Sequence, residues 1–182
     1  MELCFRGYLA ASHLLQWEPM RWHALVILDS GVEPTGFVAA HTLSHEYLVF
    51  DDIESPRPTR RPPTEALIEQ GLKFAAGKER LLVCCRAGQG RSASMAYLIR
   101  CRDVGAPEAV ALLDPTRHRP NRLVVELGDR LLSELQPLQA FDDWRHRHGH
   151  IRLSDYYDEM EREIDRLVEA GARDLITGQI SA

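Results

Sequence analysis

No stretch of this sequence approaches the roughly eighteen successive apolar residues that a bilayer-spanning helix needs. The opening Met1-Glu-Leu-Cys-Phe-Arg also lacks the basic region and apolar run of a secretory leader. A cytoplasmic chain with no membrane span is the expectation. Positive charge is in deficit too: 22 Lys and Arg against 27 Asp and Glu give a formal charge of -5. That balance argues against a general nucleic-acid binder, which carries a basic surplus to neutralise phosphates, so any recognition of phosphate must be local. Cysteine is scarce. Cys4, Cys84, Cys85 and Cys101 have no spacing that suggests a disulfide framework or a zinc site, and reduced thiols, one of them reactive, are expected. There is no internal repeat. Hydrophobic content of 45% with 27% charge leaves no compositional case for disorder.

What is present suits one compact domain, since 182 residues bury a sizeable core. Two apolar runs read as buried strands: His23 to Asp29, bounded by Ser30-Gly31, and Arg80 to Cys85, which enters a glycine-bearing loop. Phe37 to Thr42 and Glu46 to Phe50 are shorter strand candidates, and Leu3 to Arg6 an opening edge strand, so four or five strands are expected. Thr64 caps a helix that ends at Gly77. Ser92 to Val104, Pro107 to Leu113 and Asn121 to Leu135 follow as helices, the last capped by Asn121. Strands interleaved with helices, then helices alone, predict an α/β fold. Its central, mostly parallel sheet is flanked by helices, with a helical C-terminal extension over residues 138–182. In that extension Tyr157, Met160, Ile164, Leu167 and Val168 make an apolar stripe after a Ser154 cap. It must pack on its own domain or on a partner, a second copy of the chain included. Asp51 to Pro63, with four prolines and three arginines, reads as a long surface loop.

The chemistry lies in Cys85-Arg86-Ala87-Gly88-Gln89-Gly90-Arg91-Ser92. A loop between an apolar strand and an amphipathic helix can curl over the helix N-terminus with its amide hydrogens pointing inward, which makes an anion cradle. Gly88 and Gly90 permit close approach of the backbone, and Arg91 adds a planar charged fork suited to two phosphate oxygens. The helix dipole, the amides and Arg91 all favour the thiolate form of a cysteine at the loop's base. Ser92 can donate a hydroxyl hydrogen bond toward the sulfur. A carboxylic acid beside the cradle would supply the proton that a leaving alkoxide or phenoxide needs, and Asp51 and Asp52 are both candidates.

These residues resemble the cysteine-based protein tyrosine phosphatase superfamily, whose signature is Cys, five residues, Arg, then Ser or Thr, with glycine at the loop's fourth position. Cys85, Gly88, Arg91 and Ser92 match it, and that register makes Cys85 rather than Cys84 the nucleophile. Cys84 stands where the family usually has histidine. In the dual-specificity-like members, which residues 1 to about 135 resemble, the acid lies about thirty residues before the cysteine; Asp52 is 33 residues before Cys85. The resemblance implies a catalytic domain over 1–137 that hydrolyses phosphate monoesters through a phosphocysteine. Cys85, Arg91, Asp52 and Ser92 would be catalytic, Arg86, Ala87, Gly88, Gln89 and Gly90 would hold phosphate, and no metal or cofactor is needed. Protein phosphotyrosine is the default substrate. Phosphoinositides or inositol phosphates are the alternative, because Arg86 would accept extra negative charge. A noncatalytic phosphate-binding module is a rival reading, and so is a rhodanese- or arsenate-reductase-like thiol enzyme with Cys84 or Cys101 as resolving thiols. Arg145-His-Arg-His-Gly-His150 reads as a solvated turn, and His13, His23, His41 and His45 have no assigned role.

Overall fold

The computed structural model describes residues 1–55, 57–151 and 153–179, with the backbone alone for 153–156. Its sheet has four strands, β1 (Glu2–Gly7), β2 (His23–Leu28), β3 (Ser44–Val49) and β4 (Arg80–Cys85), in the order β1-β4-β2-β3. Every pairing is parallel. A parallel sheet is covered on both faces, which explains why its central strands read as unbroken apolar runs: β2 and β4 are each buried at five of six positions.

Because side chains alternate along a strand, the two faces have separate cores. Leu25, Ile27, Leu81, Val83 and Cys85 point to one side, where they meet α3 (Glu65–Ala75), α4 (Arg91–Val104) and α6 (Arg122–Leu131). Ala24, Val26, Leu28, Leu82 and Cys84 point to the other, toward α1 (Tyr8–Trp17). The expected caps are in place. Thr64 Oγ1 accepts from the Leu67 amide at 3.4 Å, and Asn121 Oδ1 from the Val124 amide at 3.1 Å. The segment after α4 is α5 (Ala106–Ala109) followed by a tighter turn at Val110–Leu112, and α6 stops at Leu131 before another such turn at Ser133–Leu135.

Two local readings change. Phe37 to Thr42 is not a strand: Phe37–His41 is a short helix, α2. Thr35 Oγ1 accepts from the Phe37 amide at 3.1 Å, Phe37 stacks on His41 at 4.1 Å, and Val38 alone in the helix is buried. One buried side in five residues gives a strand no second apolar side chain to bury, and the two central alanines favour helix. Residues 8–17, to which no element was assigned, form α1, which buries Tyr8, Ala11, Ser12 and Leu15 at helical spacing.

The C-terminal part runs through α7 (Pro137–Arg147) and α8 (Leu153–Glu169). The Ser154 cap expected for α8 lies outside the described residues. Phe141 and Trp144 of α7 join the core on the α4 side, and Tyr97 Oη donates to the Pro137 carbonyl at 2.7 Å. Beyond α8 the chain returns to the opposite face of the sheet. There Ile176 is fully buried among Tyr8, Leu15 and Val26. The Thr35 amide donates to the Ile176 carbonyl at 2.7 Å, and the Leu175 amide to Ser12 Oγ at 3.0 Å. Residues 172–179 therefore form a strap that binds the end of the described chain to the first helix.

Candidate active site

Strand β4 delivers Cys85 to the carboxyl edge of the sheet, where an open α/β sheet commonly carries its ligand. Alternation decides between the two adjacent thiols. Cys85 faces α4, and its sulfur lies 3.1 Å from Ser92 Oγ in a shared hydrogen bond. Cys84 faces α1, is fully buried, and is held as a neutral thiol well above its ordinary pKa by that burial and by the neighbouring Cys85.

After Cys85 the chain folds back over the end of β1. Gly88 has φ +79°, and a methyl group there would sit 2.2 Å from the Gly7 amide nitrogen, so only glycine fits this crossing. The backbone N–H groups of Arg86, Ala87, Gly88 and Gly90 have no acceptor among the described residues. Unpaired donors gathered at the N-terminus of α4 are what an anion cradle requires.

Arg91 is the first residue of α4 and is 3% exposed. Its Nη1 donates to the Phe50 carbonyl at 2.8 Å and pairs with Asp29 Oδ1 at 2.8 Å. Its Nε is buried with no hydrogen-bond partner among the described residues, 3.9 Å from Asp52 Oδ2. One edge of the guanidinium is thus fixed while an interior donor stays open. Asp29 escaped the sequence reading as a functional residue. Its only sequence signal is an acidic residue at the end of an apolar run, and that run becomes the strand adjacent to β4.

The two candidate acids separate clearly. Asp51 is 1% exposed and turned inward: it accepts from Ser30 N at 3.1 Å, Ser30 Oγ at 2.6 Å and Arg61 N at 2.7 Å, with Arg60 3.5 Å away. Burial alone would raise its pKa, but those hydrogen bonds and the Arg60 charge outweigh it and hold the carboxyl below its ordinary value. Asp51 therefore pins the proline-rich loop to the sheet. Asp51→Ala is expected to cost about 3 kcal/mol of stability by leaving three donors unpaired, measurable by urea denaturation. Because the folded-state pKa is the lower one, this contribution is complete above the ordinary carboxylate range and is lost as pH falls through the folded value. The gap between wild type and variant should therefore narrow on acidification.

Asp52 is half-exposed and faces the cradle. Its Oδ2 lies so close over Gly90 that a methyl group there would approach it to 2.3 Å. Asn121, expected only as a helix cap, does two jobs. Its Oδ1 caps α6, while its Nδ2 donates to Asp52 Oδ1 at 2.7 Å and to the Ile53 carbonyl at 3.3 Å. Asn121→Ala should lose about 1 kcal/mol of stability with the cap. It should also lower kcat about tenfold with KM little changed, because Asp52 loses the donor that orients it; steady-state kinetics beside a thermal melt separate the two effects.

Cys85, Arg86, Ala87, Arg91 and Asp52 all line one cavity of about 470 Å³, with Asp29, Asp51 and the loop residues Arg57 and Arg60 as further walls. Gly88 and Gln89 line a neighbouring cavity of about 410 Å³, and Ser92 lies behind the sulfur. Arg145 to His150 closes α7 away from these elements, with His148 Nδ1 donating to the Trp144 carbonyl at 2.9 Å. Among the described residues no three His, Cys, Asp or Glu side chains form a metal-binding group.

Comparison of the whole chain with solved structures matches it to PTPMT1 in complex with PI(5)P, at 15% identity and a TM-score of 0.52, over 74% of this chain and 92% of that one. The fold is that of the PTP-like phosphatases. Two further structures match along similar lengths. They are the Yvh1 phosphatase domain from Chaetomium thermophilum (18% identity, 75% of this chain and 93% of that one, TM-score 0.49) and Tk-PTP in its active form (15%, 75% and 92%, 0.47). No family model matches the sequence, and the search of curated proteins found no match. The shared PTP-like fold agrees with the expected α/β class and with its mostly parallel sheet, which proves wholly parallel.

Proposed function

We propose that the protein hydrolyses phosphate monoesters through a phosphocysteine on Cys85, with protein phosphotyrosine as its substrate. The observation that carries this reading is that Cys85, Arg91 and Asp52 line one cavity together with Arg86 and Ala87 of the loop, with the buried Arg91 Nε left without a hydrogen-bond partner among the described residues. The Cys85 thiolate attacks phosphorus. The bond to the ester oxygen breaks, and protonated Asp52 gives that oxygen its proton. Arg91 and the loop amides hold the three remaining phosphoryl oxygens as charge builds on them. Ionised Asp52 then takes a proton from water, the resulting hydroxide attacks phosphorus, and the thiolate departs stabilised by the Ser92 hydroxyl. Asp52 is again protonated and the cycle closes.

The thiol-redox alternative fits less well. Cys84 faces the opposite side of the sheet, and burial pushes Cys101 up to about 12, so neither is an accessible resolving thiolate. The test is phosphate release from a generic aryl phosphate with EDTA and a reductant present. Turnover that vanadate inhibits supports the reading; binding of vanadate without turnover replaces it with a phosphate-binding module.

A second reading has its own observation. Arg57 and Arg86 line the cavity beside Arg91 and the Asp51-paired Arg60, and the PTPMT1 match was solved with PI(5)P bound. Faster release from phosphoinositides than from phosphotyrosine peptides at matched concentration would favour it.

A further inference from the structure

The apolar stripe of α8 does not close on a packed core. Met160, Ile164 and Leu167 face Phe5 and Leu9 across the 410 Å³ cavity, whose floor is the outer side of the phosphate loop. Its volume is that of a small ligand site. Arg86, Ala87 and Gln179 line both this cavity and the one that holds Cys85, so the two adjoin across a shared threshold. That threshold is polar. Arg86 offers guanidinium donors, and Gln179 offers both a donor and an acceptor; its backbone amide donates to Thr177 Oγ1 at 3.3 Å, and Asp174 Oδ1 in turn accepts from the Thr177 amide at 3.1 Å.

We infer that the α8 cavity is a specificity subsite that takes a large apolar side chain lying within two residues of the phosphotyrosine in a peptide substrate. The inference rests on the phosphatase reading. A peptide main chain crossing from one cavity to the other presents carbonyls and amides, which Arg86 and Gln179 can satisfy, while its apolar side chain meets Phe5, Leu9, Met160, Ile164 and Leu167 in a cavity whose lining also includes Arg6, Arg117, His118, Glu163 and Asp174. An alkyl chain crossing the same threshold would desolvate the guanidinium and the amide without replacing their hydrogen bonds. The occupant that fits both halves of the surface is therefore peptide rather than lipid. Selectivity is expected in KM, since a side chain remote from phosphorus binds equally in the ground and transition states.

The test uses phosphotyrosine peptides carrying Ala, Leu or Phe at each of the two positions on either side. At one of these positions, wild type should show a KM about tenfold lower for Leu or Phe than for Ala. Ile164→Asp, a substitution at a residue already 39% exposed, should bring that ratio close to one, and Gln179→Ala should reduce it. The same preference should appear as binding affinity when non-hydrolysable phosphonate versions of the peptides are titrated into Cys85→Ser protein, which keeps the result independent of turnover. Aryl phosphate turnover with no preference at any position overturns the subsite and leaves the phosphatase reading standing. A preference that survives Ile164→Asp overturns the placement under α8. Alkyl phosphates whose KM falls with chain length, while peptides show no preference, overturn it in favour of an amphiphile.

Discussion

Cys85→Ser is expected to abolish release of phosphate from an aryl phosphate, a loss on the order of 10⁵-fold, while Cys84→Ala leaves turnover in place. The two residues are adjacent in sequence but lie on opposite faces of β4. Only Cys85 has the Ser92 hydroxyl 3.1 Å away and the phosphate loop above it. Burial holds Cys84 as a neutral thiol, and its removal should show in thermal stability rather than in rate. Intact mass after rapid acid quenching adds a direct readout, since wild type should carry a phosphoryl adduct that Cys85→Ser lacks. An active Cys85→Ser protein would sink the phosphocysteine mechanism.

The second large effect concerns the acid. Asp52→Asn should lower kcat about 10²- to 10³-fold on an ester with a poor leaving group, and much less on one whose phenoxide leaves unaided. Such dependence on leaving group is specific to proton donation, because a merely structural residue would slow both esters alike. Asp51→Asn should instead weaken the fold, since its carboxylate, although in the cavity lining, is committed to the Ser30 and Arg61 donors. A steep leaving-group dependence in Asp51→Asn, and none in Asp52→Asn, would transfer the role.

The strand, loop and helix that carry Cys85 were legible in the sequence because that unit is local: an apolar run, two glycines and an amphipathic stretch fix it within about twenty-five residues. The candidate acids were legible only as a pair. Successive residues in an extended segment point to opposite sides, so choosing between Asp51 and Asp52 requires knowing which side carries Gly90 and which carries Ser30. Asp29 and Asn121 stayed hidden for a related reason, since their partners Arg91 and Asp52 are 62 and 69 positions away. Helix α1 was missed although its buried positions keep the helical period, and α2 was misread because a short apolar segment carries no period of its own.

The strap gives the last described residues a part in finishing the first half of the molecule. On a ribosome, β4 and its phosphate loop emerge well before Ile176, which trails Cys85 by 91 positions. At about 5–20 residues per second that interval lasts roughly 5–18 s. Through it the α1 side of the sheet lacks one of its fully buried side chains, and Ser12 lacks the backbone donor that it meets in the finished protein. The nascent chain therefore holds Cys85 in a sheet whose opposite face still lacks its last packing residue, and this is the period in which protection by a chaperone and a reducing environment would matter most.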